Sequence, residues 1–532
     1  MSRSFFQYIA VAAVVFLTSP ALFAIDTSGI EDIAIQEGGR KKPFLVFAHE
    51  TLLGMTGKSS FSKDGRSLNA IFTVTSIWLA PKGWENEPLI LINNQKFKSQ
   101  VGLNPRKKLF AYRELAESGA LRTALNEVSN LRSKNPRASL DIIQREVSNI
   151  GMRLALFEGL VSGNLVTLLP TAAAAWSPLP TEDPALIELR RGLLQNNQGA
   201  FNRGLELLRS EQASEEVRFQ ADPAKIAIEV AYQKIHPFRW AWILYLVAGI
   251  LLITIPGSAG YILGWIFSGA GFLLQVSGFV LRILISGRAP VTNMYESVVW
   301  VAFGTILFAL IFEAIYRSRY FLLGAVPVAV ASLILADTQP VILNSAINPL
   351  VPVLADNFWL TTHVLSITLS YGAFALALGV GHIILGKTIF GSKASPALNN
   401  YLYRTLQVGV LLLAVGTLLG GVWANYSWGR FWDWDPKETW ALIALLVYLF
   451  LLHGRIAGKW AGFGMAVGAV LAFQSIIMAW YGVNFILGVG LHSYGFGSGG
   501  LPGAVAFVSV EFLFVAIAVF RHRFLARKAA TA

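Results

Sequence analysis

Trp428-Gly-Arg430-Phe-Trp432-Asp-Trp434-Asp435-Pro-Lys437-Glu438-Thr-Trp440 lies between two apolar runs, at about 405–424 and 437–454. Runs of about 18 or more apolar residues are long enough to cross a bilayer core, so the stretch reads as a loop between two spans. Its thirteen positions hold four tryptophans and five charged residues. Tryptophan is ordinary at a membrane–water boundary because its ring is amphipathic. The density here, with acidic residues interleaved, exceeds what an anchoring belt needs. It suits a platform for a large flat ligand that carries acidic groups at one edge.

The rest of the chain agrees with a membrane setting. Of 532 residues, 54% are hydrophobic and only 14% charged, against about 25% charged in soluble proteins. The net charge of +12 falls largely in short loops beside spans, which is how orientation signals are placed, and this argues against nucleic-acid binding. Cysteine is absent, so disulfides, thiolate metal sites and thiol relays within the chain are excluded.

Residues 1–24 read as a secretory signal peptide or an N-terminal anchor, with Arg3 ahead of an apolar run from Tyr8 to Leu17. Residues 25–236 have the composition of a soluble, extracytoplasmic domain. Gly38–Pro43 breaks regular structure there, Asn69–Leu79 is rich in β-branched and aromatic residues like a strand, and Leu109–Leu131 and Ala185–Ser210 have helical spacing. Residues 237–532 form the membrane domain, with spans at about 240–257, 260–285, 298–316, 320–337, 361–386, 405–424, 437–454, 462–483 and 503–520. The expected fold is therefore an all-α polytopic membrane protein of about nine transmembrane helices, preceded by a mostly helical α+β domain.

Basic residues set the orientation. Alternate loops carry Arg317 and Arg319, then Lys387, Lys393 and Arg404, then Arg455 and Lys459, and the tail adds Arg521, Arg523, Arg527 and Lys528. By the positive-inside rule these face the cytoplasm, which puts the N-terminal domain outside and the C-terminus inside. The opposite loops hold few, namely Arg288, Arg430 and Lys437. Two of these lie in the tryptophan stretch, as expected of a ligand site.

Asp435-Pro-Lys-Glu438 also has a structural reading, with an acidic N-cap, proline in the first turn and a glutamate three residues on to complete a capping box. Capping does not account for Trp428, Trp432 and Trp434, nor for Arg430, whose guanidinium suits a carboxylate edge. His363 and His492 fall in outer loops on the same side as the stretch, one before and one after it. Neutral imidazole is a usual axial ligand of haem iron, so two histidines flanking a tryptophan platform point to haem. His453 lies 17 residues beyond Pro436, about 26 Å along a helix, near the cytoplasmic end of its span. It reads either as a ligand where haem enters from that side or as an interfacial histidine beside Arg455. His382 has similar depth. His49, His236 and His522 read as structural.

These residues carry a resemblance. Trp428–Trp440 with its Asp-Pro-Lys-Glu-Thr continuation resembles the "WWD" signature of haem-handling proteins, in particular the CcsA (ResC) family of system II cytochrome c biogenesis. Ala289-Pro-Val-Thr-Asn-Met-Tyr295-Glu296-Ser and Gly482–Phe496, which contains His492, agree with it. The resemblance spans about residues 240–520. It implies haem b carried to the outer face, axial ligation by His363 and His492, and passage by way of His453. Trp428, Trp432, Trp434, Asp435 and Arg430 would line the haem site. It further implies a haem lyase or cytochrome c synthase role shared with a CcsB (ResB) membrane subunit. Apocytochrome c would be the acceptor, with an extracytoplasmic protein keeping its cysteines reduced, in the bacterial cytoplasmic (inner) membrane. Gly38-Gly-Arg-Lys-Lys-Pro resembles a segment of extended or fused CcsB–CcsA forms. Two other readings stand beside this one: a system I-like haem chaperone without ligase activity, and an unrelated solute transporter with an interfacial tryptophan belt.

Overall fold

The computed structural model describes residues 25–135, 140–171, 175–213, 221–350, 356–487 and 499–531. The 1–24 segment and His492 lie outside these residues. The chain forms two compact units, divided between Val230 and Ala231.

The N-terminal unit sets four two-stranded antiparallel ribbons among helices. β1 (Ala34–Glu37) pairs with β2 (Arg40–Pro43) and β3 (Ser60–Lys63) with β4 (Arg66–Asn69). β5 (Pro88–Leu91) pairs with β6 (Leu109–Ala111), and β7 (Thr167–Leu169) with β8 (Ser177–Pro178). The helices are α1 (Phe44–Thr56), α2 (Ala70–Leu79), α3 (Gln95–Gln100), α4 (Tyr112–Ala116), α5 (Gly119–Lys134), α6 (Ile142–Ser162), α7 (Pro184–Leu194) and α8 (Gln198–Gln212). Two expectations need correction. Gly38 and Gly39, at φ 61° and 78°, make the two-residue turn that hairpins favour, so Arg40–Pro43 is strand rather than irregular. Asn69–Leu79 is not a strand. The Asn69 side chain accepts the Phe72 N–H at 2.8 Å as an N-cap, and helix α2 then buries nearly its whole circumference. An all-round buried helix has no amphipathic period, so its β-branched residues gave a strand signal. The 109–131 and 185–210 stretches are helical as their spacing predicts, each in two helices, the first following β6 and recapped by Ser118, the second recapped by Asn197.

Among the described residues, nine helices are long and apolar enough to cross a membrane. The chain is a multi-pass membrane protein. The first of these helices, Pro223–Thr254, consists of α9 (Pro223–Ile235) and α10 (Pro237–Thr254), with His236 in the left-handed region between them. The others are α11 (Gly257–Ser286), α12 (Met294–Tyr316), α13 (Tyr320–Thr338), α14 (Asn357–Ile389), α15 (Pro396–Trp428), α16 (Pro436–Ile456), α17 (Phe463–Leu487) and α18 (Leu501–Lys528). Most run several residues beyond their apolar cores, because capped polar turns extend them.

Helix α14 is the centre of the bundle, 72% of its most apolar stretch being buried against 17% for α18. It packs on α12, α13, α15, α17 and α18. Close approach is possible because Gly379 faces Gly324, where an added Cβ would lie 2.1 Å from a carbonyl oxygen. Buried charges hold the loops at the span ends. Fully buried Glu313 accepts the backbone N–H groups of Ser318, Arg319 and Phe321 at 2.9, 2.8 and 2.9 Å. Arg282 and Glu296, 1% and 3% exposed, pair at 2.5 Å. Glu296 also accepts from the Thr292 N–H and hydroxyl, both at 2.8 Å.

Candidate functional site

A cavity of about 180 Å³ opens among the ends of α12, α14, α15, α16 and α17. His363 and Val364 of α14 form one wall, with Gly420, Gly421 and Trp423 of α15 beside them. Phe431 and Trp432 come from the loop that follows α15, and Lys437 and Glu438 from the first turn of α16. Trp480 and Asn484 of α17, the stretch Val291–Asn293 ahead of α12, and Met294 and Ser297 at its start also line it.

Two of the wall helices change their winding at the cavity. α14 is π-helical over Leu360–Val364, around His363, and α17 over Met478–Leu487, around Trp480 and Asn484. Such turns are frequent at functional sites, since they re-aim side chains. The His363 ring sits with Nδ1 2.7 Å from the Gly416 carbonyl oxygen. A carbonyl only accepts, so Nδ1 carries the hydrogen and the lone pair is on Nε2, the tautomer a metal-binding imidazole needs. Trp423 meets this ring edge to face at 5.8 Å. The ring lies directly on the backbone of α15, because a Cβ at Gly420 would fall 2.5 Å from His363 Cε1. Phe431 occupies the same kind of notch, its Cζ lying 2.5 Å from where a Gly421 Cβ would be. Trp480 Nε1 donates to Ser297 Oγ at 2.9 Å and ties α17 to α12.

The tryptophan loop is organised by one carboxylate. Asp435 and Glu438 form the capping box that their spacing predicts, and α16 begins at Pro436. Glu438 accepts the N–H groups of Asp433 and Asp435 at 2.8 and 3.3 Å and a bond from Arg430 Nη1 at 3.2 Å. Arg430 also pairs with Asp433 at 3.4 Å and lies 5.3 Å over the Trp428 ring.

The residues singled out from sequence are therefore placed differently from one another. His363 and Trp432 share the cavity wall. Trp428, Arg430 and Asp435 build the loop and its cap rather than the lining. Trp434 is 70% exposed, in the left-handed region at φ 56°, with its ring 5.9 Å from that of Trp432. His453 is exposed near the other end of α16, its Nδ1 bonded to the Leu449 carbonyl at 2.8 Å. His382, 19 residues after His363 on the same helix and so about 28 Å away, bonds the Leu378 carbonyl at 2.8 Å and faces Glu511 at 2.9 Å. Sequence reading missed Gly420, Gly421, Trp423 and Phe431. The Gly-Gly pair two residues before Trp423 was the available signal. The π turns have none.

Among the described residues the cavity is apolar and aromatic-walled, carries one imidazole and lies at the ends of a helical bundle. Comparison with known proteins specifies the class. The family "Cytochrome C assembly protein" matches residues 291–492. Cytochrome c biogenesis protein CcsA of Prochlorococcus marinus (strain NATL2A) is 37% identical over 290 residues, covering 46% of this chain and 91% of that protein. The CcsA protein of Synechococcus sp. (strain WH7803) is 36% identical over 269 residues, covering 43% and 83%. Protein NrfI of Wolinella succinogenes is 28% identical over 506 residues. That alignment covers 88% of this chain, so it reaches well into the N-terminal unit, while the chain spans 54% of NrfI. The chain belongs to the CcsA family of cytochrome c biogenesis proteins and carries an N-terminal extension. It is a haem-related cytochrome c assembly protein of the membrane.

Proposed function

We propose that this protein carries haem b to the outer face of the bacterial cytoplasmic membrane and presents it there for attachment to apocytochrome c. The observation that carries this reading is the His363 imidazole, fixed through Nδ1 to the Gly416 carbonyl on the wall of a cavity lined by Trp423, Phe431 and Trp432. His363 and His492 supply the two axial nitrogens, and the aromatic wall excludes water from the iron. Trp428, Trp434, Arg430 and Asp435 hold the loop that brings Phe431 and Trp432 to the ring. His453, exposed on α16, is the ligand where haem enters, facing a CcsB/ResB-like subunit. The N-terminal unit is extracytoplasmic and the C-terminus cytoplasmic.

Attachment adds each cysteine S–H of a CXXCH segment across a haem vinyl double bond, the sulfur to one carbon and the hydrogen to the other, with nothing expelled. The cysteines must therefore arrive reduced, which calls for an extracytoplasmic thiol reductant protein. The contribution of this chain is positioning. The histidine of the acceptor segment then displaces one of the two imidazoles, which frees the product.

The test is the optical spectrum of the purified protein from haem-replete cells. Sharp Soret and α bands are expected, lost in His363→Ala and His492→Ala and restored by imidazole. A colourless wild type refutes the reading. Co-expression with a CcsB partner in cells lacking cytochrome c assembly tests the attachment role. Haem binding without covalent cytochrome c would make the chain a chaperone instead.

A further inference from the structure

Lys437 is the single lysine or arginine among the residues that line the cavity. Its described hydrogen bond is to a neutral group, Nζ donating to the Ala479 carbonyl at 3.2 Å. An ammonium has three donors, and one carbonyl neither uses them all nor balances the charge. The carboxylates nearest in sequence serve the backbone, and of the two Asp435 also lies close enough to attract the Lys437 ammonium. Asp435 caps α16 through the Lys437 N–H at 2.9 Å, and Glu438 serves the loop amides and Arg430. Arg430, the other basic residue of the stretch, is paired with Glu438 and Asp433 and lies off the cavity lining.

A porphyrin with two propionates brings negative charge to one edge, and Glu438 on the same wall would repel it. We propose that the Lys437 ammonium, and not the Arg430 guanidinium, receives a haem propionate and so selects cargo with a free acid edge. This rests on the haem reading above. A propionate oxygen would accept from Nζ on the cavity side while the Ala479 carbonyl holds it on the other, fixing the ring's rotation about the iron axis as well as its charge. The competing structural role is a tie between the start of α16 and the π-helical part of α17. That role makes no distinction between an acid and its ester.

The experiment titrates the full-length apoprotein in detergent with haemin and with haemin dimethyl ester, followed at the Soret band. Wild type is expected to favour the free acid by about 10- to 100-fold, the range for a charge-assisted hydrogen bond. Lys437→Met should lose that preference by weakening for haemin alone, and Lys437→Arg should keep most of it. Equal wild-type affinities, or a preference that survives in Lys437→Met, overturn the assignment. If Lys437→Met fails to fold, Arg430→Gln decides instead: a free-acid preference unchanged in it supports Lys437, and one lost in it overturns the assignment. A wild type that binds neither porphyrin through two imidazoles sinks the haem reading itself. Normal ligation of the ester by Lys437→Met leaves that reading standing.

Discussion

Gly420→Ala separates the fold from the ligand site. The new Cβ would lie 2.5 Å from His363 Cε1, 2.9 Å from Nδ1 and 3.2 Å from Nε2. Ordinary carbon contacts are about 3.5–4.0 Å, so the ring must move by about an ångström. The Nδ1 bond to the Gly416 carbonyl, now 2.7 Å, cannot survive that shift. Its loss costs about 1 kcal/mol, while alanine inside helix α15 returns about 1 kcal/mol over glycine. Global stability should therefore hardly change. Metal sites, by contrast, hold ligand distances within about 0.2 Å, so a displacement of this size removes His363 as a ligand. The assay pairs circular dichroism melting with the Soret spectrum of the purified protein. Unchanged melting is expected, with a six-coordinate spectrum replaced by a five-coordinate one or by lost haem, and recovery on adding imidazole. Gly409→Ala, which meets Phe374 at 2.5 Å on the same helix, is the control for repacking away from the cavity lining. A Gly420→Ala protein with wild-type haem content and spectrum would refute the placement of His363 against α15 as the ligating geometry.

Two further outcomes follow from the charges. Glu438→Ala removes the partner of the Asp433 and Asp435 amides and of Arg430. A lost cap and an ion pair amount to about 1–3 kcal/mol, so hydrogen exchange at these amides should quicken by roughly 5- to 150-fold while the interior of α16 stays protected; unchanged exchange would mean the loop is held otherwise. In the N-terminal unit, burial and then the nearby Asp183 raise the Glu211 carboxyl above its usual range. The folded form thus binds its proton more tightly than the unfolded one, so this stability is present at low pH and fades as pH rises through the folded pKa. Glu211→Gln should protect α8 relative to wild type increasingly as pH rises above about 4, the ordinary carboxyl value, and hydrogen exchange showing no pH trend would exclude the effect.

The bundle was legible because its signals are long. Spans of about 18 apolar residues need no tertiary information, and Asp435-Pro-Lys-Glu438 announces a helix start from backbone chemistry alone. His363 was legible from its company. What escaped depends on partners distant in sequence. Gly420 and Gly421 matter because rings from α14 and from the loop rest on them, and a glycine pair in an apolar run does not say what touches it. Asn69–Leu79 failed for the reverse reason, since burial on every side erases the period that marks a helix. Arg430 reads as a ligand cation because its guanidinium suits a carboxylate edge and it lies in an outer loop otherwise poor in basic residues. Its actual neighbours include Glu438, eight residues on.

An ionisable group inside a span is a functional candidate by default, yet three carboxylates here have complete structural explanations. Glu313 gathers the amides that begin α13, Glu296 pairs with Arg282 and shapes the Thr292 edge of the cavity, and Glu438 closes the tryptophan loop. Each serves backbone donors that a helix terminus leaves open and that lipid could not satisfy. Removing these from consideration changes the weight of what is left. Lys437 is a cation on the cavity wall whose described bond is to one carbonyl. His363 is an imidazole whose Nδ1 bond sets the lone pair on Nε2. One carries positive charge and the other a ring nitrogen with its lone pair available, and both border the same aromatic space. On the haem reading proposed above, that pair would meet the acidic edge and the metal of a flat chelate.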